Sequence, residues 1–101
     1  MSASAFPVSP GTTSLLVSCF SLVATADPGV LARVINVFAK RGLIPSQVYS
    51  TLAGPRGEDM HIDLQVGAID AKLREILAES LRQTVCVQIV LTFEKRRAQS
   101  A

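Results

Sequence analysis

The chain has 101 residues, 49% of them hydrophobic and 18% charged, and its formal net charge is +2. This length supports a single small domain with one core. Residues 94–97 carry the whole excess charge, so the composition requires no polyanionic partner and we expect no nucleic-acid binding.

Residues 1–14 contain mostly Ser, Ala, Pro, Thr and Gly, and we predict a disordered leader there. Residues 15–26 imitate a secretory signal, but no Lys or Arg precedes Arg33, so the positively charged region is missing. The apolar run is also about half as long as a membrane span. We therefore expect a cytoplasmic protein without a membrane partner, in which Cys19 and Cys86 stay reduced.

The first two elements follow directly from the hydrophobic pattern. Residues 15–24 are apolar on both alternating faces, which predicts a central strand. Residues 28–41 repeat apolar side chains at the spacing of a helix that packs on a core. Asp27 suits the N-cap of this helix, with a proline at its first position, and Gly42 suits its end.

A hairpin follows the helix. Residues 48–53 and 58–66 are predicted strands, and the sequence Gly-Pro-Arg-Gly between them, at 54–57, suits a type I turn. The second strand alternates apolar and polar side chains, which places His61 and Asp63 together on its wet face.

The rest of the chain completes one more helix and strand. Asp70 can cap a helix that ends near Arg82, and residues 85–93 are rich in β-branched side chains, which predicts a last strand. We predict that residues 94–101 form a basic, disordered tail.

The element order predicts an α+β fold, a ferredoxin-like βαββαβ sandwich with a four-stranded antiparallel sheet and two helices on one face. In this topology the first and third strands are central, and the second and last lie at the edges. Because one sheet face and both edges stay uncovered, we expect a homodimer or a partner subunit.

Residues 27–31 are the candidate ligand site. Gly29 lets a ligand approach the backbone, and first-turn amides lack intrahelical acceptors at the positive end of the helix dipole. Such amides favour a carboxylate or a phosphate. The residues alone leave two interpretations open: a ligand site, or a tight turn that only starts the helix.

His61 and Asp63 give an alternative function, a small enzyme that uses the open sheet face as base and orienter. No nucleophile or metal cluster accompanies the pair in the sequence, so we expect a solvent or dimer-contact role, no catalytic residue, and neither a metal nor a cofactor. Tyr49 is the only aromatic residue of the hairpin, which argues against RNA binding through the sheet.

Several short stretches resemble the ACT domain, an amino-acid-sensing regulatory module. The sequence Pro-Gly-Val-Leu-Ala-Arg-Val at 28–34, followed by Phe38 and by Arg-Gly at 41–42, is similar to the small regulatory subunit of acetolactate synthase, as is Leu-Arg-Gln-Thr-Val at 81–85. The resemblance covers residues 15–93. It implies a non-enzymatic regulatory protein of branched-chain amino-acid biosynthesis, in the short form with a single ACT domain.

The resemblance also implies a homodimer that holds an amino acid between two copies and docks on a catalytic subunit. The implied ligand contacts from the first loop of one copy are Ala26, Asp27, Gly29, Val30 and Leu31. Those from the facing copy are Ile44, Pro45 and Val48. In this scheme the backbone amides of Gly29 and Val30 hold the ligand carboxylate.

Two positions depart from that subunit, which usually has asparagine where this chain has Ala26 and Ile44. Each lost polar contact to bound valine costs roughly 1 to 3 kcal/mol. The two losses together are enough to abolish weak amino-acid binding, so these departures argue against valine feedback.

Overall fold

The computed structural model describes residues 16–96, which form six elements in the predicted order. The strands are Leu16–Thr25 (β1), Gln47–Ala53 (β2), Asp59–Gly67 (β3) and Val87–Arg96 (β4), and the helices are Val30–Ala39 (α1) and Ala71–Arg82 (α2). The predicted leader at 1–14 and the last five residues of the predicted tail lie outside the described residues.

The four strands form one antiparallel sheet in the order β2-β3-β1-β4. The prediction that β1 and β3 are central is confirmed, as is the ferredoxin-like α+β fold. Alternate side chains of β1, from Phe20 to Ala24, enter one core with side chains of both helices. Both helices therefore cover the same face of the sheet.

The core is centred on two aromatic rings. Phe20 of β1 and Phe38 of α1 are fully buried, and their ring centroids lie 5.2 Å apart at an interplanar angle of 76°. This edge-to-face arrangement is favoured by the ring quadrupoles. It fixes α1 over the centre of the sheet, and Leu77 and Leu81 do the same for α2.

The last strand differs from its prediction at both ends. It continues to Arg96 because Glu94, Lys95 and Arg96 pair with the first three residues of β1, so the predicted disordered tail is wrong for these positions. At the other end, Cys86 has a φ of 79° and belongs to a turn in which the Val87 amide donates to the Thr84 carbonyl at 3.1 Å. β4 therefore starts two residues later than predicted.

The helix ends confirm two of the three predicted caps. Asp70 Oδ1 accepts from the Leu73 amide at 2.7 Å and caps α2. Gly42 has a φ of 72°, and the amide of Leu43 donates to the Phe38 carbonyl at 3.0 Å, which is the Schellman arrangement. The predicted start of α1 is two residues too early, since its N-cap is Gly29. Within residues 16–96, neither helix is long and apolar enough to cross a membrane.

We predict that Gly42→Ala lowers the free energy of unfolding by about 1 kcal/mol, the cost of a Cβ in a left-handed conformation. No neighbouring atom lies within 4 Å of the added Cβ, so backbone strain is the whole effect. Urea unfolding at one fixed protein concentration measures it. Gly67→Ala is the matched control, since its position is equally open and its φ is not positive. Equal stability losses in the two variants would contradict the assignment.

Candidate functional site

A groove lies where the loop between β1 and α1 meets the β2–β3 hairpin. The loop is held there because the Ala26 amide donates to the Glu58 carbonyl at 2.8 Å, which continues the pairing of β1 with β3. The groove has a volume of about 340 Å³. Its lining residues are Ala26, Asp27, Pro28 and Leu31 from the loop and α1, and Leu52, Gly57 and Met60 from the hairpin. The walls are mostly apolar, and Asp27 supplies the one carboxylate among them.

Asp27 organises the loop through both its side chain and its backbone. Its Oδ2 accepts from the Gly29 amide at 3.0 Å and from Arg33 Nη1 at 3.3 Å, and its carbonyl accepts from the Val30 amide at 3.1 Å. The amides that the resemblance assigns to a ligand carboxylate are thus already bonded within one copy. The expectation that Gly29 and Val30 offer free donors is wrong for a single copy of the chain.

The next two amides of α1 remain available. Within residues 16–96, the amides of Leu31 and Ala32 have no hydrogen-bond acceptor, and they belong to the first turn, at the positive end of the helix. The Arg33 guanidinium, which bonds Asp27 and lies next to Gly29, is about half exposed. The loop therefore offers a carboxylate and a cluster of donors to a ligand within a few residues of each other.

The residues predicted to come from a facing copy lie elsewhere in the same copy. Val48 pairs with Leu64 near the start of β2, whereas Ala53 pairs with Asp59 at the groove end of the hairpin. Ile44 precedes β2 and is 85% exposed. A single copy does not bring these residues to the groove, so their ligand role stays a prediction.

The structure adds Leu52, Gly57 and Met60 to the site, and sequence reasoning missed all three. Their place in the groove depends on the hydrogen bond between Ala26 and Glu58, which joins segments more than thirty residues apart. The residue pattern of one segment does not indicate which distant segment lies beside it. The only sequence signal was Leu52, an apolar residue at the end of an edge strand.

The alternative pair, His61 and Asp63, lies exposed on the sheet face opposite the helices, and no hydrogen bond joins the two within residues 16–96. Ser21 is the register partner of Asp63, and Cys19 lies two residues away from Ser21 on the same face. Burial raises the pKa of the Cys19 thiol; Lys95 lowers that pKa and Asp63 raises it further. The thiol therefore stays protonated and poorly nucleophilic near neutral pH. The described part of the chain also holds no group of three metal-ligating side chains.

Comparison with known families identifies the domain. Residues 12–99 match the family model described as "ACT-like domain". Because the match covers most of the chain, the protein belongs to the ACT-like domain family. ACT domains are regulatory ligand-binding domains, often found in enzymes of amino-acid metabolism.

Solved structures show the same fold. The ACT domain from GTP pyrophosphokinase of Chlorobium tepidum superposes with a TM-score of 0.64 at 14% identity, over 76% of this chain and 96% of that one. The C-terminal domain of the MgtC protein from Mycobacterium tuberculosis gives 0.64 at 17% identity, over 90% and 99%. The regulatory subunit of aspartate kinase from Thermus thermophilus gives 0.60 at 15% identity, over 79% of this chain and 51% of that subunit.

We predict that Gly29→Val leaves the core folded, with a free energy of unfolding lowered by about 1 kcal/mol or less. The added Cβ would lie 3.1 Å from Nη2 of Arg33, a flexible side chain that can move, and Gly29 has a φ of −91° that any residue adopts. Urea unfolding checks this, with Ala32→Val, on an exposed position of the same helix turn, as the control for the valine side chain. Global unfolding of Gly29→Val alone would mean that this glycine serves only to start the helix.

Proposed function

We propose that this ACT-like domain is a non-enzymatic regulatory protein that binds a small amino acid between two copies of the chain. We further propose that it acts as the small regulatory subunit of an amino-acid biosynthetic enzyme such as acetolactate synthase. The observation that carries the proposal is the apolar groove beside Asp27, which lies next to the open edge of β2.

The edge of β2 suits pairing with a second copy. It has seven residues, and its helix-side residues include the exposed apolar Val48 and Leu52. If two copies pair antiparallel about Ser50, Val48 lies beside the partner's Leu52, since both point to the same face. Ile44 and Pro45 then continue toward the partner's groove. This register explains how residues far apart in one copy join in one site.

The groove chemistry suits an α-amino acid with a small apolar side chain. Leu31, Leu52 and Met60 provide apolar walls, and the volume of about 340 Å³ is at the small end of ligand sites. The Asp27 carboxylate attracts the ligand ammonium group. The ligand carboxylate then takes the amides of Leu31 and Ala32, in place of the bonded amides of Gly29 and Val30.

Calorimetric titration tests the sensing role. We expect heat of binding with at least one common L-amino acid at millimolar concentration, and none with its D-enantiomer. Asp27→Asn should weaken that binding tenfold or more, because it removes a charge worth about 1.4 kcal/mol while the amide oxygen can still accept from Gly29. Asp63→Asn, the same change on the open sheet face, should leave the affinity unaltered.

The absence of heat with every amino acid would reject sensing. Ala26→Asn provides a gain-of-binding arm, since it restores a polar side chain at the groove and should strengthen L-valine binding by about tenfold. An unchanged or weaker affinity in that variant would mean that the contacts implied by the resemblance do not apply to this chain.

The docking role needs a separate experiment. We expect the chain to co-elute with an acetolactate synthase catalytic subunit from the same organism and to change its rate or its response to amino acids. Asp27→Asn should still co-elute, because it alters the ligand groove alone. Neither co-elution nor a change in rate would reject docking on this enzyme and leave the sensing role to be judged by calorimetry.

A further inference from the structure

The sheet face opposite the helices carries a ridge of apolar side chains. Side chains alternate along β1, so Cys19, Ser21 and Val23 point away from the helices, and the register pairs them with Phe93, Leu91 and Ile89 of β4. Leu91 is 61% exposed, and Phe93 and Ile89 are each 50% exposed. Adjacent large apolar side chains in water mark an interaction surface on a small protein.

A depression lies beside this ridge. The side chains of β1 on this face are short, and between Phe93 on one side and Tyr49 on the other they leave a groove of about 250 Å³. Gln47, Asp63, Gln65 and Lys95 complete its rim. The face therefore has both protruding side chains and a hollow. When two sheets stack, the protruding side chains of one can fit into the hollow of the other.

The size of the face matches a stable interface. The sheet is four strands wide at a spacing of about 4.8 Å, and about nine residues long at about 3.3 Å per residue. Its projected area is therefore about 570 Å². Side-chain relief raises the accessible area toward the value of about 800 Å² per partner that specific complexes bury.

We infer that this face, defined by Ile89, Leu91, Phe93 and Tyr49, packs against the same face of a second copy, sheet on sheet. Asp63 and Lys95 place both signs of charge on the rim, so each can meet its opposite on an identical partner, and the face favours neither an acidic nor a basic foreign protein. This contact is distinct from the β2 edge pairing and does not depend on a bound ligand. With both contacts, four chains form one assembly.

Light scattering on the full chain, at two concentrations, tests this inference. We expect the wild type to have the mass of four chains of 10.8 kDa and Leu91→Asp to have half of it. Leu91 is exposed, so the variant should fold, and circular dichroism verifies that. Val85→Asp is the matched control, because Val85 is a similarly exposed apolar residue in the turn before β4 and should leave the mass unchanged.

The outcomes separate this inference from the proposed function. A wild type of two chains that Leu91→Asp reduces to one would support the stacked face and contradict edge pairing. If Leu91→Asp has the same mass as the wild type, the inference is overturned, whatever the number of chains. The face would then contact solvent or another protein. Parallel loss of mass in Val85→Asp would also overturn it, since the effect would then come from the added charge alone.

Discussion

The structure depends on one constraint: within residues 16–96, two helices cover one face of a four-stranded sheet and leave the other face and both edges uncovered. The core gains its stability from Phe20, Phe38, Leu77 and Leu81, which are fully buried. The same arrangement leaves Leu52 at one edge and Leu91 on the open face, both more than 60% exposed. Burial of these surfaces requires other chains, so the fold makes association part of the function we propose.

The loop before α1 connects this constraint with ligand chemistry. Asp27 uses its carboxylate and its carbonyl to bond the amides of Gly29 and Val30, so hydrogen bonds within one copy hold the loop in shape. Such a preformed loop reduces the entropy that a ligand must remove on binding. The bonded loop also decides which ligand groups the groove can bind, because the groove presents the Asp27 carboxylate together with the free amide donors of α1. A zwitterion meets both requirements, whereas a simple anion meets only one.

Much of the fold followed from hydrophobic spacing and from residues with strong local preferences. The period of 3.6 residues in α1, the alternation in β3, the Asp70 cap and the left-handed Gly42 are each set by a few adjacent residues. The length of β4 was not predictable in this way, because its basic end is ordered by pairing with β1. The hairpin half of the groove was missed for the same reason, since a single long-range hydrogen bond places it. The contacts of the site between copies stay a prediction.

Amide hydrogen exchange along β2 tests most directly whether two copies meet at this edge. In an isolated copy, only the amides of Gln47–Ala53 that point toward β3 have acceptors, so protection should alternate along the strand. Edge pairing gives the outward amides acceptors as well. We predict slow exchange at successive residues around Ser50, slower still with a bound amino acid. Fast exchange of every outward amide, at concentrations where the chain is associated, would contradict the account.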